Sequence, residues 1–158
     1  MPSHPPVPNL IYDWNTAGTG YPHREQPIEF VDESLRDGLQ SPSVRDPDIE
    51  TKIRLLHLME RLGLHSADLG LPGAGPRAVA DILTLCPEIV RHGLRIPPNC
   101  AVRTVKSDIE PLIEISQKAG MAVEACTFIG SSPIRQYAED WTLDTMLRLT
   151  EESVSYAV

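Results

Sequence analysis

The stretch SADLGLPGAGPRAVADILTLCPEIVRHG, residues 66–93, decides the fold. Residues 66–71 predict a buried strand, and the pair Pro72-Gly73 closes it with a tight turn. Residues 76–91 predict a helix that stops at Gly93, and Pro87 marks a point where this helix could break. A strand, a tight turn and a returning helix together make one βα unit, the building block of parallel sheets.

The same order of strand and helix recurs on both sides of this stretch. We predict strands at residues 28–31, 99–102 and 122–129, and helices at residues 48–62, 108–119 and 143–158. Asp48 and Thr142 are the expected N-caps of the first and last helix, and Gly63 is the expected stop of the first. Residues 130–141 are predicted to be a loop. Because strand and helix alternate along the chain, the sheet is predicted to be parallel.

These elements predict an α/β fold, a partial TIM (β/α)₈ barrel with about four βα units at residues 27–158. A complete barrel has eight units in about 250 residues, so the chain corresponds to an N-terminal half. Residues 1–26, rich in Pro, Gly, Asn and Thr, are predicted to form an irregular arm. A half-barrel leaves two sheet edges and its inner face uncovered. We therefore expect a homo-oligomer or a missing C-terminal half.

Composition excludes several classes of function. The 158 residues are 41% hydrophobic and 23% charged, which fits one folded domain. A net charge of −8 argues against nucleic acid and against an anionic membrane surface as partners. No apolar run approaches the roughly 20 residues that cross a bilayer. The three cysteines form no CxxC motif, and with no secretory signal they predict a reducing, cytoplasmic location.

Charged side chains crowd the end of the first predicted strand, in VDESLRDGLQ, residues 31–40. Barrel active sites lie at the carboxyl ends of strands, so these charges fall where catalytic groups are expected. The Asp37 carboxylate suits a divalent cation, and the Arg36 guanidinium suits a carboxylate or a developing oxyanion. Gln40 can donate to and accept from a polar substrate. The alternative is that Arg36 and Asp37 form a surface loop pair without chemistry.

Residues 32–40, DESLRDGLQ, resemble the signature D-x-[ST]-L-R-D-G-x-Q of the isopropylmalate, homocitrate and citramalate synthase family. The related 3-hydroxy-3-methylglutaryl-CoA lyases share only its R-D-G-x-Q part. Three later segments are similar to consecutive strands, helices and turns of the same family: KIRLLHLMERLGLHSADLGLPGAGP, AVRTVKSDIEPLIEISQKAG and TFIGSSPIRQY. The resemblance covers about residues 28–158.

The resemblance implies a metal-dependent Claisen condensation of acetyl-CoA, the co-substrate, with a 2-oxo acid. Carried over by position, Arg36 would be the catalytic residue that stabilises charge developing on the substrate oxygen. Asp37 would be a ligand of the divalent metal, which one carboxylate leaves open as Mg²⁺, Mn²⁺ or Zn²⁺. Gln40 would contact the substrate.

Three further residues are candidates for substrate binding. Asp68 stands in D-L-G-L-P, where the family usually has a longer Glu. Arg103 ends the third strand, where it could face the substrate or pair with Asp68 or another strand-end carboxylate. Thr127 could offer a pocket hydroxyl or simply favour the strand. Many family members carry a His where this chain has Cys126, which we expect to be buried and inert.

The family completes its metal site with a His-x-His pair later in the barrel, and the five histidines of this chain form no such pair. We expect each histidine to be structural or solvated, and the metal site of this chain to be incomplete. The chain is therefore predicted to be weak or inactive alone. Two alternatives stay open: a carbon–carbon lyase of the 3-hydroxy-3-methylglutaryl-CoA lyase type, and a non-catalytic half-barrel that binds a partner.

Overall fold

The computed structural model describes residues 27–158, and the predicted arm at residues 1–26 lies outside the described residues. Four parallel strands form one sheet in the order β1-β2-β3-β4. They are β1 Val31–Asp32, β2 Ser66–Asp68, β3 Pro98–Arg103 and β4 Glu124–Phe128. Strands that follow one another in sequence are neighbours in the sheet, as in one half of a (β/α)₈ barrel. The predicted fold class is confirmed.

Helices follow the strands in the predicted order. They are α1 Ile49–Leu62, α2 Pro76–His92, α3 Lys106–Ala119, α4 Pro133–Glu139 and α5 Leu143–Ala157. Both predicted N-caps are confirmed, since Asp48 Oδ1 accepts the Thr51 N–H at 2.8 Å and Thr142 Oγ1 accepts the Thr145 N–H at 3.1 Å. Gly63 ends α1 with a left-handed φ of 74°, as predicted.

The largest departures from the predicted boundaries lie in the first two βα units, while α3 begins two residues earlier than predicted and β4 two residues later. Strand β2 ends at Asp68, because Gly70 takes a φ of 146° and turns its N–H back onto the Asp68 carboxylate. Strand β1 is shorter and later than predicted, and the residues that pair with β2 are Val31 and Asp32. Helix α2 runs through Pro87 without a break. Its face is packed into the core by Ile82 and Leu85, which compensates for the missing hydrogen bond at Pro87.

The predicted loop at residues 130–141 contains a helix, α4. Ser132 is its N-cap and accepts the Arg135 N–H at 3.3 Å, and Pro133 occupies the first helical position. Asp140 ends the helix with a φ of 53°. The Ser-Pro pair is a helix-start signal that could have predicted α4.

The core lies between one face of the sheet and helices α1–α3. Its fully buried side chains include Leu56 of α1, Ile82 of α2, Val102 of β3 and Ile109 of α3. In residues 27–158, every helix is too short or too polar to span a membrane.

The opposite face of the sheet is open at its two edges. Val31 of β1 is exposed. On β4 every second residue is exposed, namely Glu124, Cys126 and Phe128, and these three side chains lie on the same face of the sheet. The prediction that Cys126 is buried was wrong. Nothing within residues 27–158 covers the inner face of the half-barrel at β4, so its inward-facing side chains meet solvent.

Candidate functional site

A short π-helical turn, Ser34–Gly38, follows β1 at the carboxyl end of the sheet, which we call the mouth. Asp32 Oδ1 accepts the Ser34 N–H at 2.7 Å and so turns the chain out of the strand. Leu35 is buried and anchors the turn to the core. The two residues that follow Leu35, Arg36 and Asp37, are thereby held at the mouth.

The Arg36 guanidinium joins three carboxylates. Its Nε–H donates to Asp68 Oδ2 at 3.1 Å, and its Nη1 donates to Asp37 Oδ1 at 3.0 Å. Its Nη2 pairs with Glu33. Arg36 and Asp37 are therefore paired, as the surface-loop alternative expected. Arg36 also contacts Asp68 on the neighbouring strand β2, so the cluster is not confined to one loop. Three carboxylates against one guanidinium leave an excess of two negative charges when all are ionised.

The two aspartates of this cluster differ in environment. The Asp68 side chain is 3% exposed, whereas the Asp37 side chain is 69% exposed. Burial raises the pKa of Asp68, although the Gly70 N–H at 3.0 Å and the hydrogen bond from Arg36 both oppose this rise. Asp68 is thus placed to orient Arg36, while Asp37 offers its carboxylate to solvent.

A cavity of about 240 Å³ lies beside Arg36 and brings it together with Gln40. The lining also contains Asp46, Lys52, Arg77 and Asp81, and the buried one, Lys52 of α1, was not predicted as a site residue. Lys52 is buried, and its Nζ lies 2.7 Å from Asp46 Oδ1 and 2.6 Å from Asp81 Oδ2. The buried charge is therefore paired on both sides, as buried charges need to be.

The sequence did carry a signal for Lys52. Within α1, Lys52 stands three residues after Ile49 and four before Leu56, on the stripe that faces the core. A lysine on that stripe needs a carboxylate partner in the fold, and a pairing site can be expected there.

Arg103 and Thr127 lie apart from the Arg36 cluster. Arg103 forms a two-pronged pair with Asp108 of α3, with Nε–Oδ2 at 2.6 Å and Nη2–Oδ1 at 2.8 Å, and it does not contact Asp68. It lines a second cavity, of about 300 Å³. Thr127 is half-buried and pairs in register with the fully buried Val102, on the side of the sheet that faces the helices.

Asp37 is the residue at the mouth that the sequence predicts as a metal ligand. Within residues 27–158, Asp37 belongs to no group of three or more His, Cys, Asp or Glu side chains whose ligand atoms converge. Catalytic metals usually need three protein ligands. The described residues therefore do not complete a catalytic metal site around Asp37.

Comparisons with known proteins find synthases as relatives, while no protein-family model matches the chain. The 2-isopropylmalate synthase of Streptococcus gallolyticus is 34% identical over 134 residues, which are 82% of this chain and 24% of that protein. The homocitrate synthase AksA of Methanocaldococcus jannaschii is 31% identical over 132 residues, 82% of this chain and 30% of that protein. The homocitrate synthase AksA of Methanosarcina mazei is 27% identical over 147 residues, which are 92% of this chain and 34% of that protein. The chain thus spans about a quarter to a third of the length of these relatives.

Proposed function

We propose that the mouth of this chain serves a condensation of acetyl-CoA with a 2-oxo acid. The chain matches a segment of 2-isopropylmalate and homocitrate synthases, and this likeness supports the proposal. In that acyltransferase reaction the acetyl methyl carbon loses a proton and bonds to the keto carbon. The keto oxygen takes up the negative charge and is then protonated, and water cleaves the thioester to release CoA. The observation that carries the proposal is the Arg36–Asp68 pair at the mouth.

Arg36 is the proposed catalytic residue. A guanidinium has five N–H donors, and the contacts to Glu33, Asp37 and Asp68 use its three nitrogen atoms once each. Donors therefore remain for a keto oxygen that gains negative charge. The buried Asp68 carboxylate fixes the orientation of the guanidinium, which supports a preorganised site.

Asp37 is the proposed carboxylate ligand of a divalent metal, Mg²⁺, Mn²⁺ or Zn²⁺. Two features support this role: the Asp37 side chain is exposed, and the charges around Arg36 sum to an excess of negative charge. Such a cluster attracts a divalent cation, whereas by itself it would repel an anionic substrate. The remaining ligands would come from outside residues 27–158.

The four proposed substrate contacts differ in their support. Gln40 has the best support, because it lines the same cavity as Arg36. Asp68 is proposed to act mainly through Arg36, given its burial. For Arg103 and Thr127, substrate contact stays a prediction from the sequence, since one is paired with Asp108 and the other lies on the helix-facing side of β4.

A second candidate is a non-catalytic half-barrel that binds a partner. Its support is the open inner face, where Val31, Cys126 and Phe128 are exposed. A second copy of the chain, or the other half of a barrel, would cover these side chains and the edges of β1 and β4.

A chimera separates the two candidates. Residues 27–158 would replace the matching segment of the Streptococcus gallolyticus 2-isopropylmalate synthase, and CoA release would be measured with a panel of 2-oxo acids and each divalent metal. We expect the chimera to release CoA, and Arg36→Met to lower its rate by about 10²–10³-fold, the usual cost of losing one oxyanion donor.

Arg148→Met is the matched control, because Arg148 pairs with Glu152 on the surface of α5. If a folded chimera releases CoA equally well with Arg36→Met and Arg148→Met, Arg36 is not catalytic. A folded but inactive chimera would favour the binding module. CoA release by the 158-residue chain alone would contradict the prediction that it is weak or inactive by itself.

A further inference from the structure

Helices α1 and α2 bring together two histidines and a glutamate, which we call the His–Glu–His cluster: His57, Glu88 and His92. His57 Nε2 lies 2.8 Å from Glu88 Oε1, and His92 Nε2 lies 3.1 Å from the same oxygen. The two imidazole rings stand nearly perpendicular, at 83°, with their centroids 5.2 Å apart. All three ligand atoms lie within 4.8 Å of one another.

The spacing of these atoms is close to that of a tetrahedral metal site. Zinc bonds to imidazole nitrogen and carboxylate oxygen are about 2.0–2.1 Å long, so two ligand atoms on a tetrahedron stand about 3.4 Å apart. To admit an ion, the His57 contact would open by about 0.6 Å and the His92 contact by about 0.3 Å. Against a carboxylate oxygen each Nε2 carries the donated proton, so zinc binding requires the tautomer that holds the proton on Nδ1 and frees the Nε2 lone pair.

We propose that the His–Glu–His cluster binds Zn²⁺ and thereby ties α1 to α2. Two imidazoles and one carboxylate form a ligand set that suits zinc. Water would occupy the fourth position, because the His57 and His92 side chains are 34% and 48% exposed while Glu88 is only 9% exposed. The buried carboxylate fixes the site, and the more exposed imidazoles leave a path for the ion.

The cluster is separate from the mouth. Each helix returns the chain to the start of the next strand, so the carboxyl end of a helix lies at the end of the sheet opposite the mouth. His92 is the last residue of α2, and Glu88 stands one turn before it. This zinc site is therefore distinct from the metal proposed at Asp37, and it does not depend on the proposed function.

Arg91 is the other charged side chain in contact with the Glu88 carboxylate. Arg91 Nη1 lies 3.4 Å from Oε2 of Glu88, the oxygen that the imidazoles do not contact. Arg91 opposes the cation by charge, but its side chain is largely exposed and water screens it.

The test is zinc binding by the full 158-residue chain without an affinity tag, measured near neutral pH by competition with a zinc indicator. We expect one equivalent to bind with high affinity, and His57→Asn/His92→Asn to weaken this binding by at least about 100-fold. The matched control is His4→Asn/His23→Asn, which removes the same number of histidines elsewhere in the sequence. Co²⁺ in place of Zn²⁺ should show the visible absorption of a tetrahedral site.

Three further variants make the result specific. Glu88→Gln should weaken binding as His57→Asn/His92→Asn does, whereas Cys126→Ser and Glu114→Gln, which changes an exposed partner of Lys118, should leave it unchanged. Because zinc would bind the folded state, it should raise the midpoint of thermal unfolding of the parent chain and of His4→Asn/His23→Asn. It should not raise the midpoint of His57→Asn/His92→Asn. Equal zinc affinity in the parent chain and in folded His92→Asn and His57→Asn/His92→Asn would overturn the proposal.

Discussion

Arg36 donates its Nε–H to the buried carboxylate of Asp68 at 3.1 Å, although the two residues stand 32 positions apart in the chain. The contact joins the π-helical turn after β1 to the end of β2. It makes the geometry of the mouth depend on the register of two neighbouring strands. A change at either residue should therefore affect the stability of the fold as well as any chemistry at the mouth.

Replacing Arg36 with Met should destabilise the chain by about 1–3 kcal/mol, because Asp68 then keeps only backbone N–H partners, chiefly that of Gly70. Burial already raises the pKa of Asp68, and the loss of Arg36 removes a cause that opposed this rise. A raised folded-state pKa favours folding at low pH and costs stability as the pH rises through it. The loss of unfolding free energy caused by Arg36→Met should therefore be smaller at acidic pH. Denaturant unfolding at neutral and acidic pH measures both effects.

The matched control for this experiment is Arg148→Met. Arg148 pairs with Glu152 at i,i+4 on exposed α5, so its loss should cost about 0.5 kcal/mol or less. Equal free energies of unfolding for Arg36→Met and Arg148→Met would mean that Asp68 does not depend on Arg36.

The sequence predicts which residues reach the mouth better than which residues they contact. Arg36 and Asp37 directly follow an apolar strand, and in a parallel sheet that position alone locates them. The sequence puts Asp68 at the end of the neighbouring strand, but whether its short side chain reaches Arg36 depends on how β1 and β2 pair. Arg103 shows the same limit, since its partner is the α3 carboxylate Asp108.

Burial of a side chain was predictable only where the chain itself supplies the covering element. The core beneath α1–α3 follows from helix periodicity, and the N-caps follow from residue type. Cys126 faces the side of the sheet that helices α1–α3 do not cover, so its exposure depends on what packs against the inner face. A strand pattern cannot reveal that.

The three thiols should differ in reactivity towards Ellman's reagent. Cys86 and Cys100 are buried, and burial raises the pKa of Cys86 to about 11 and also raises that of Cys100. Cys126 is exposed, although partial burial and then the charge of Glu124 raise its pKa, so its reaction should quicken with rising pH. We expect one reactive thiol in the native chain, none in Cys126→Ser, and three in denaturant.

The concentration dependence of this titration also tests self-association. If the inner face is covered by a second copy, Cys126 should become protected as the protein concentration rises. A native chain without a reactive thiol at high dilution would contradict an open inner face at β4.

Replacing Gly73 with Ala should destabilise the chain by about 1–3 kcal/mol through overpacking. A Cβ at Gly73 would stand 2.6 Å from Cγ of Asp108, and that carboxylate is held by Arg103. Asp108→Ala should therefore relieve part of the cost, so that the double variant is more stable than the sum of the single changes predicts. Gly38→Ala is the control, because its nearest contact would be 3.8 Å. Additive free energies of unfolding would contradict the steric explanation.

Asp108 should also contribute a pH-dependent stability. The hydrogen bond from Arg103 is the main cause that lowers its pKa, against the opposing effect of burial. A lowered folded-state pKa adds stability above the unfolded-state pKa, near 4, and loses it as the pH falls through the folded value. Asp108→Asn should thus cost about 1 kcal/mol at neutral pH, since the 57% exposure of the Arg103 side chain weakens the pair, and this cost should shrink in acid. Denaturant unfolding over a pH series measures the difference. A difference between the parent chain and Asp108→Asn that stays constant down to strongly acidic pH would mean that Arg103 does not hold the Asp108 carboxylate ionised.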